Sequence, residues 1–134
     1  MKQVCAAIIV HNDKILITQR NPRKKLPLLW EFPGGKIEKK ETPVDCVKRE
    51  IHEELGIEID VIRKFHINSH RYNFVHIQLI SFLASWQNGI ISLNEHEKYL
   101  WVKKEELMNY DFAPADIPII EKLREVDLCH LIQN

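Results

Sequence analysis

The stretch that decides the fold is residues 35–57, GKIEKKETPVDCVKREIHEELGI. Thr42 is a good helix N-cap, Pro43 suits the first helical position, and Asp45 favours the first turn. Val44, Val47, Ile51 and Leu55 recur at helical spacing and form an apolar stripe. Gly56 stands where a left-handed residue commonly closes a helix. The spacing therefore predicts a helix over 43–55. Glu50, Glu53 and Glu54 fall at i, i+3 and i+4 on it, so they share a face roughly 100° from the centre of the stripe. One side of this helix suits a core while another crowds carboxylates. Like charges so placed repel by a few tenths of a kcal/mol per pair, roughly. Two arrangements relieve the repulsion. One is a solvated face laced by salt bridges, with Arg49 reaching Glu53. The other is a hard divalent cation such as Mg²⁺, which prefers carboxylate and water oxygens and bridges to phosphates.

Before this stretch, Val4 to Val10 is continuously apolar and predicts a strand buried on both faces. His11-Asn12-Asp13 signals a turn, and Lys14 to Gln19 returns as a second strand. Arg20 to Pro27 reads as a basic loop, and Trp30-Glu31-Phe32 as a short extended segment. Pro33-Gly34-Gly35 is expected to break regular structure. After the helix the period changes to two, with Ile57, Ile59 and Val61 alternating with Glu58 and Asp60. Tyr72 to Trp86 has the pattern of one long strand, and Asn88-Gly89 of a tight turn before Ile90. Tyr99 to Val102 predicts a further strand, Lys103 to Asn109 a short helix, and Ile117 to Val126 a longer one. Strands with interspersed helices imply a mixed sheet with helices packed on it.

The length of 134 residues fits one domain over 1–134. Nineteen Lys+Arg balance nineteen Asp+Glu, which argues against a partner of long nucleic acid. The apolar run from Val4 is far short of the roughly 20 residues that cross a bilayer, so no membrane partner is expected. It is not read as a signal peptide either, since no small-residue cleavage site follows. Cys5, Cys46 and Cys129 form no CxxC pair, and reduced thiols in a cytoplasmic protein are expected. Gly34-Gly35-Lys36 lacks the spacing of a P-loop, and His52-Glu53-Glu54 is not HExxH because Gly56 occupies the last position. The seven histidines show no metal-ligand spacing. His70 and His76 are expected to be structural or solvent-facing.

Gly35, Glu41, Arg49-Glu50-Ile51, Glu53-Glu54 and Gly56-Ile57 together resemble the Nudix box, G-x5-E-x7-R-E-U-x-E-E-x-G-U, at every specified position. Trp30 to Glu38 looks like the segment that enters the box in MutT-type members, and Ala113 to Pro118 like their C-terminal substrate segment. The resemblance implies an α/β/α sandwich around a mixed sheet, with the box as loop-helix-loop. It implies Mg²⁺-dependent hydrolysis of a nucleoside diphosphate linked to another moiety, with Mn²⁺ as a possible substitute. By matching position, Glu50, Glu53 and Glu54 would ligate the metal, with the Gly34 carbonyl and Glu95 adding ligands. Glu41 and Arg49 would tie the loop to the helix, Gly35 and Gly56 would be structural, and Arg20 would contact phosphate. Either Glu53 or Glu95 would orient or deprotonate the attacking water.

In MutT-type enzymes the implied reaction takes a nucleoside triphosphate to monophosphate and pyrophosphate. Phosphoryl chemistry of this kind needs an aligned water and neutralised oxygens more than covalent help. The resemblance implies a small nucleotide substrate, either 8-oxo-dGTP in nucleotide-pool sanitation or CTP and modified dCTP. Asp116 stands where 8-oxoguanine-specific enzymes carry asparagine, and its segment looks more like the CTP pyrophosphohydrolase branch. Asp116 is thus expected either to accept from a base amine or to cap the helix at Ile117. Phe32, Phe74 and Trp30 are candidates for base stacking or for core packing. The wider alternatives are hydrolysis of nucleoside-diphosphate sugars or dinucleoside polyphosphates, and a non-catalytic ligand-sensing module. A monomer or a homodimer is expected.

Overall fold

The structure is a computed structural model, and it describes residues Met1–Gln133. Ten residues form β1 (Lys2–His11), and its interior from Cys5 to Val10 is buried throughout. Alternate side chains leave opposite faces of a strand, so β1 feeds two cores. Cys5, Ala7 and Ile9 enter one, and Ala6, Ile8 and Val10 enter the other. Asn12 and Asp13 turn the chain with positive φ of 50° and 63°, the geometry of a tight hairpin. β2 (Lys14–Gln19) then pairs antiparallel with β1.

Two short strands follow, β3 (Trp30–Glu31) on β2 and β4 (Gly34–Lys36) on β1. The expected break at Pro33-Gly34-Gly35 is borne out at Pro33, which separates β3 from β4, and corrected at the glycines, which form a strand. The reason is proximity. A Cβ on Gly34 would stand 2.0 Å from the Cys5 carbonyl oxygen, so only glycine lets the backbones approach this closely. β5 (Glu58–Arg71) and β6 (His76–Asn88) form a long hairpin, and β7 (Lys98–Val102) pairs with β2. Tyr72 to Val75 is the turn of that hairpin rather than the start of a strand, with the Tyr72 N–H donating to the Val75 carbonyl at 2.8 Å. Asn88-Gly89 ends β6 but makes no hairpin, since the next strand begins only at Lys98. The sheet runs β3-β2-β1-β6-β5, with β1 and β6 parallel and its other pairs antiparallel.

Helix α1 spans Pro43–Leu55, as predicted. Thr42 Oγ1 accepts from the Asp45 N–H at 3.1 Å, and Gly56 closes the helix at φ 70°. Cys46, Val47, Ile51 and Leu55 pack against Cys5, Ala7, Ile9 and Phe82. Val44, expected in this stripe, is 36% exposed, and Cys46 takes its place. The Sγ atoms of Cys5 and Cys46 lie 2.8 Å apart, and burial pushes both thiols up. On the opposite face, α2 (Ile117–Glu125) buries Ile119, Ile120 and Leu123 against Ile8, Ile17 and Leu83. Lys104–Asn109 is a 3-10 segment there rather than an α-helix. A last helix, α3 (Leu128–Gln133), was not expected from the sequence; it adds Leu128 to this core. Helices on both faces of a mixed sheet make the α/β/α sandwich. No helix among the described residues is long and apolar enough to cross a membrane.

Candidate active site

A cleft of about 480 Å³ opens where α1, the β2–β3 loop, the β6–β7 loop and the start of α2 meet. Glu50, Glu53 and Glu54 line it from α1, Gly34 and Gly35 from β4, and Glu95 from the β6–β7 loop. Arg20, Phe32, Phe74 and Asp116 line it as well. The structure therefore brings together the acidic, basic and aromatic residues singled out in the sequence.

The three helix glutamates share the cleft but not their environments. Glu53 is exposed, Glu50 is half-buried, and Glu54 is 8% exposed. Arg49 organises the loop-to-helix corner. Its Nε and Nη2 donate to the two Glu41 oxygens at 2.6 and 2.9 Å, a bidentate pair that holds the Glu41 carboxyl down at about 2. Its Nη1 reaches Glu50 at 2.9 Å and Glu53 at 3.2 Å. Gly35 leaves room for this arrangement, because a Cβ there would lie 2.3 Å from the Glu50 carboxyl. Glu54 has no such cation. Burial pushes its carboxyl up to about 9, and Glu31, Glu50 and Glu95 push it the same way. Its Oε1 is buried without a hydrogen-bond partner.

Glu95 reaches the cleft through the end of α1. The last carbonyls of a helix lack partners within it. Here Asn94 Nδ2 donates to the Glu53 carbonyl at 2.6 Å, the Asn94 N–H to that of Glu54 at 3.1 Å, and the Ser92 N–H to that of Leu55 at 2.9 Å. The loop is thereby fastened to the helix one residue before Glu95. Lys24 Nζ sits 2.8 Å from Glu95 Oε2 and holds that carboxyl below the usual range.

Besides Lys24, three residues that shape the cleft were not singled out by the sequence. Glu31, on β3, accepts from Arg20 Nη1 at 2.9 Å and bonds His96 Nε2 at 2.9 Å. The His96 side chain is 5% exposed, and its Nδ1 has no hydrogen-bond partner. Strand alternation across Trp30-Glu31-Phe32 signals that Glu31 faces away from Trp30, but nothing local marks His96. Tyr72 Oη accepts from the Ala115 N–H at 2.9 Å and stacks on Phe74, which is 45% exposed. Of the expected strand histidines, His70 packs on Tyr72 and His76 lies beside Arg71.

Asp116 does not cap α2, so that expectation is corrected. Its own backbone is helical, and its Oδ2 accepts from the Phe32 N–H at 2.9 Å. Burial and the Glu31 charge raise its carboxyl well above the ordinary value. Phe32 and Trp30 are core residues, packed on Phe112 and Tyr110, although an edge of Phe32 borders the cleft.

The donor set suits a hard cation. Four carboxylates, Glu50, Glu53, Glu54 and Glu95, line one cleft, and the buried, unpartnered Glu54 Oε1 is the kind of atom such an ion satisfies. Among the described residues, no three acidic, histidine or cysteine side chains are already drawn together around a single point. Arg49 and Lys24 hold three of the carboxylates instead.

A carboxylate-lined cleft beside such a loop-helix-loop, in this sandwich, defines a hydrolase class. The chain belongs to the NUDIX domain family, whose model matches residues 1–123. It is 39% identical over 125 residues to a CTP pyrophosphohydrolase of Escherichia coli (strain K12), covering 90% of each chain. It is 34% identical to an 8-oxo-dGTP diphosphatase of the same organism, over 92% of this chain and 97% of that one. Among solved structures, the MutT NUDIX hydrolase of Burkholderia pseudomallei superposes with a TM-score of 0.83 at 28% identity, covering 91% of this chain and 97% of that one. Enzymes of this family generally use a divalent metal ion.

Proposed function

We propose that this protein hydrolyses nucleoside 5′-triphosphates to monophosphate and pyrophosphate with Mg²⁺, and that cytidine nucleotides are its preferred substrates. The observation that carries the reading is the buried, unpartnered Glu54 oxygen among the Glu50, Glu53 and Glu95 carboxylates, in one cleft with Asp116. Glu50, Glu53, Glu54 and Glu95 would hold the metal, with Gly34 at the edge of the same cleft. Bound there, the ion would neutralise charge on phosphate oxygens and acidify a water. Mn²⁺ can take its place.

This chain's residues supply the rest. Arg20 is fixed by Glu31 and by the Lys25 carbonyl, 2.7 Å from its Nε, so its guanidinium is preset for phosphate oxygens. Either Glu53 or Glu95, the two exposed carboxylates, takes the proton from the attacking water. At the other end, the half-exposed Phe74 ring, stacked on Tyr72 and approached by Lys25 Nζ, becomes a surface for a base once Lys25 yields. Asp116 presents its carboxyl at the base. Ionised, it accepts from an exocyclic amine; protonated, it can also donate. Both the CTP pyrophosphohydrolase relative and the 8-oxo-dGTP diphosphatases support a triphosphate substrate.

Pyrophosphate release across CTP, dCTP, 8-oxo-dGTP, a nucleoside-diphosphate sugar and a dinucleoside polyphosphate tests the reading. The expected order puts CTP or dCTP first in kcat/KM. A higher value for 8-oxo-dGTP would move the enzyme to pool sanitation. Turnover of only the sugar or dinucleoside compounds would overturn the triphosphate assignment. Binding without turnover of any compound would make the chain a sensor.

A further inference from the structure

The β2–β3 loop lines the cleft with Arg20, Asn21, Lys24 and Leu26. Its ends are closed by the Arg20 N–H on the Leu29 carbonyl at 2.8 Å and the Leu28 N–H on the Arg20 carbonyl at 3.1 Å. Between them the loop sends one lysine to each wall. Lys25 Nζ lies 4.2 Å from the centre of the Phe74 ring, on the aromatic side. Lys24 Nζ lies 2.8 Å from Glu95 Oε2, on the acidic side. The Lys24–Glu95 pair is about half exposed at each partner. An ion pair this exposed is weak, so it breaks readily. The ammonium also stands close enough to Glu54 to act on its charge.

Resting on the reading above, we propose that Lys24 is a polyphosphate-positioning residue that exchanges partners: it neutralises Glu95 in the nucleotide-free protein and passes to the outer phosphates of the substrate when Glu95 is taken up by the divalent ion. The chemistry calls for such an exchange. Glu95 cannot satisfy an ammonium and a metal ion with the same lone pairs at full strength. The substrate brings negative charge into the same cleft as its cation arrives. An ammonium on a flexible stem, anchored in a loop closed at both ends, moves between the two sites without refolding. Lys24 is then a competitor of the metal before substrate binds and a partner of the phosphates afterwards.

The test uses Lys24→Met and Lys24→Arg, with two readouts. Binding of Mn²⁺ to nucleotide-free protein, followed by electron paramagnetic resonance, should tighten about three- to tenfold in Lys24→Met. In the same variant KM for the triphosphate and the inhibition constant for pyrophosphate should both rise about tenfold. Affinity for the nucleoside monophosphate should stay within twofold of wild type. Lys24→Arg should restore the pyrophosphate affinity. Unchanged or weaker Mn²⁺ binding in Lys24→Met, an unchanged KM, or an equal loss of monophosphate affinity would each overturn the exchange. If wild type neither binds Mn²⁺ nor releases pyrophosphate, the functional reading itself fails. If wild type does both and Lys24→Met matches it, only the role of Lys24 falls.

Discussion

In the folded, metal-free protein the Glu54 carboxyl is raised to about 9, whereas an unfolded glutamate titrates near 4.3, roughly. Between those values the native state keeps a proton that the unfolded chain has released. Stability is therefore fully present below the unfolded value and is lost as pH rises toward the folded one. The loss reaches about 4 kcal/mol at pH 7. In chelator, the melting temperature should fall between about pH 5.5 and 8.5, and Mg²⁺ should flatten that slope; a level profile in chelator would contradict the linkage. Glu54→Gln should remove most of the slope and lower turnover by at least about 100-fold. Wild-type turnover in that folded variant would take Glu54 out of the site. Asp116 acts on selectivity rather than on the reacting phosphate. Asp116→Asn replaces a group of variable protonation with a fixed donor and acceptor. It should shift the ratio of kcat/KM for dCTP against 8-oxo-dGTP by about tenfold, and an unchanged ratio would remove it from base recognition.

At the scale of the element, α1 is both a wall of the core and a wall of the site, and its two ends are held differently. Thr42 holds the N-terminus through one hydrogen bond, so Thr42→Ala should cost about 1 kcal/mol in urea unfolding. Its effect on kcat should be small, because Thr42 does not line the cleft. Asn94 holds the C-terminus and sets the position of Glu95. Asn94→Ala should cost a similar amount of stability, about 1 kcal/mol, yet lower kcat about tenfold. Equal kcat in the two variants would mean that the loop is positioned by other contacts. This asymmetry follows what the sequence could show. Caps, apolar stripe and glutamate spacing are local, and α1 came out over the residues expected. The glycine strand at 34–36 depends on the approach of β1, where Cys5 pairs with Gly35, 30 residues further along the chain. His96 meets Glu31 across 65 residues. Neither leaves a periodic trace. Asp116 sits where a helix cap is expected, and only the fold reveals that its carboxylate turns to the Phe32 backbone instead.

Across the whole molecule, the cleft is built by elements from both faces of the sheet. Helix α1 belongs to one core and the Ala113–Asp116 segment to the other. A ligand that touches both walls binds the folded chain alone and stabilises it by mass action. Mg²⁺ with a nonhydrolysable triphosphate at about 100 times its Kd should add about 2.7 kcal/mol. For a chain of this length that is roughly 10 °C in Tm. A shift no larger than Mg²⁺ gives alone would mean that the nucleotide does not bridge the walls. The same architecture bears on attempts to improve the enzyme. The carboxylate at position 54 weakens the empty protein while serving the filled one. A search for heat-tolerant variants conducted without magnesium would reward neutral replacements there, and its sturdiest winners would be inactive.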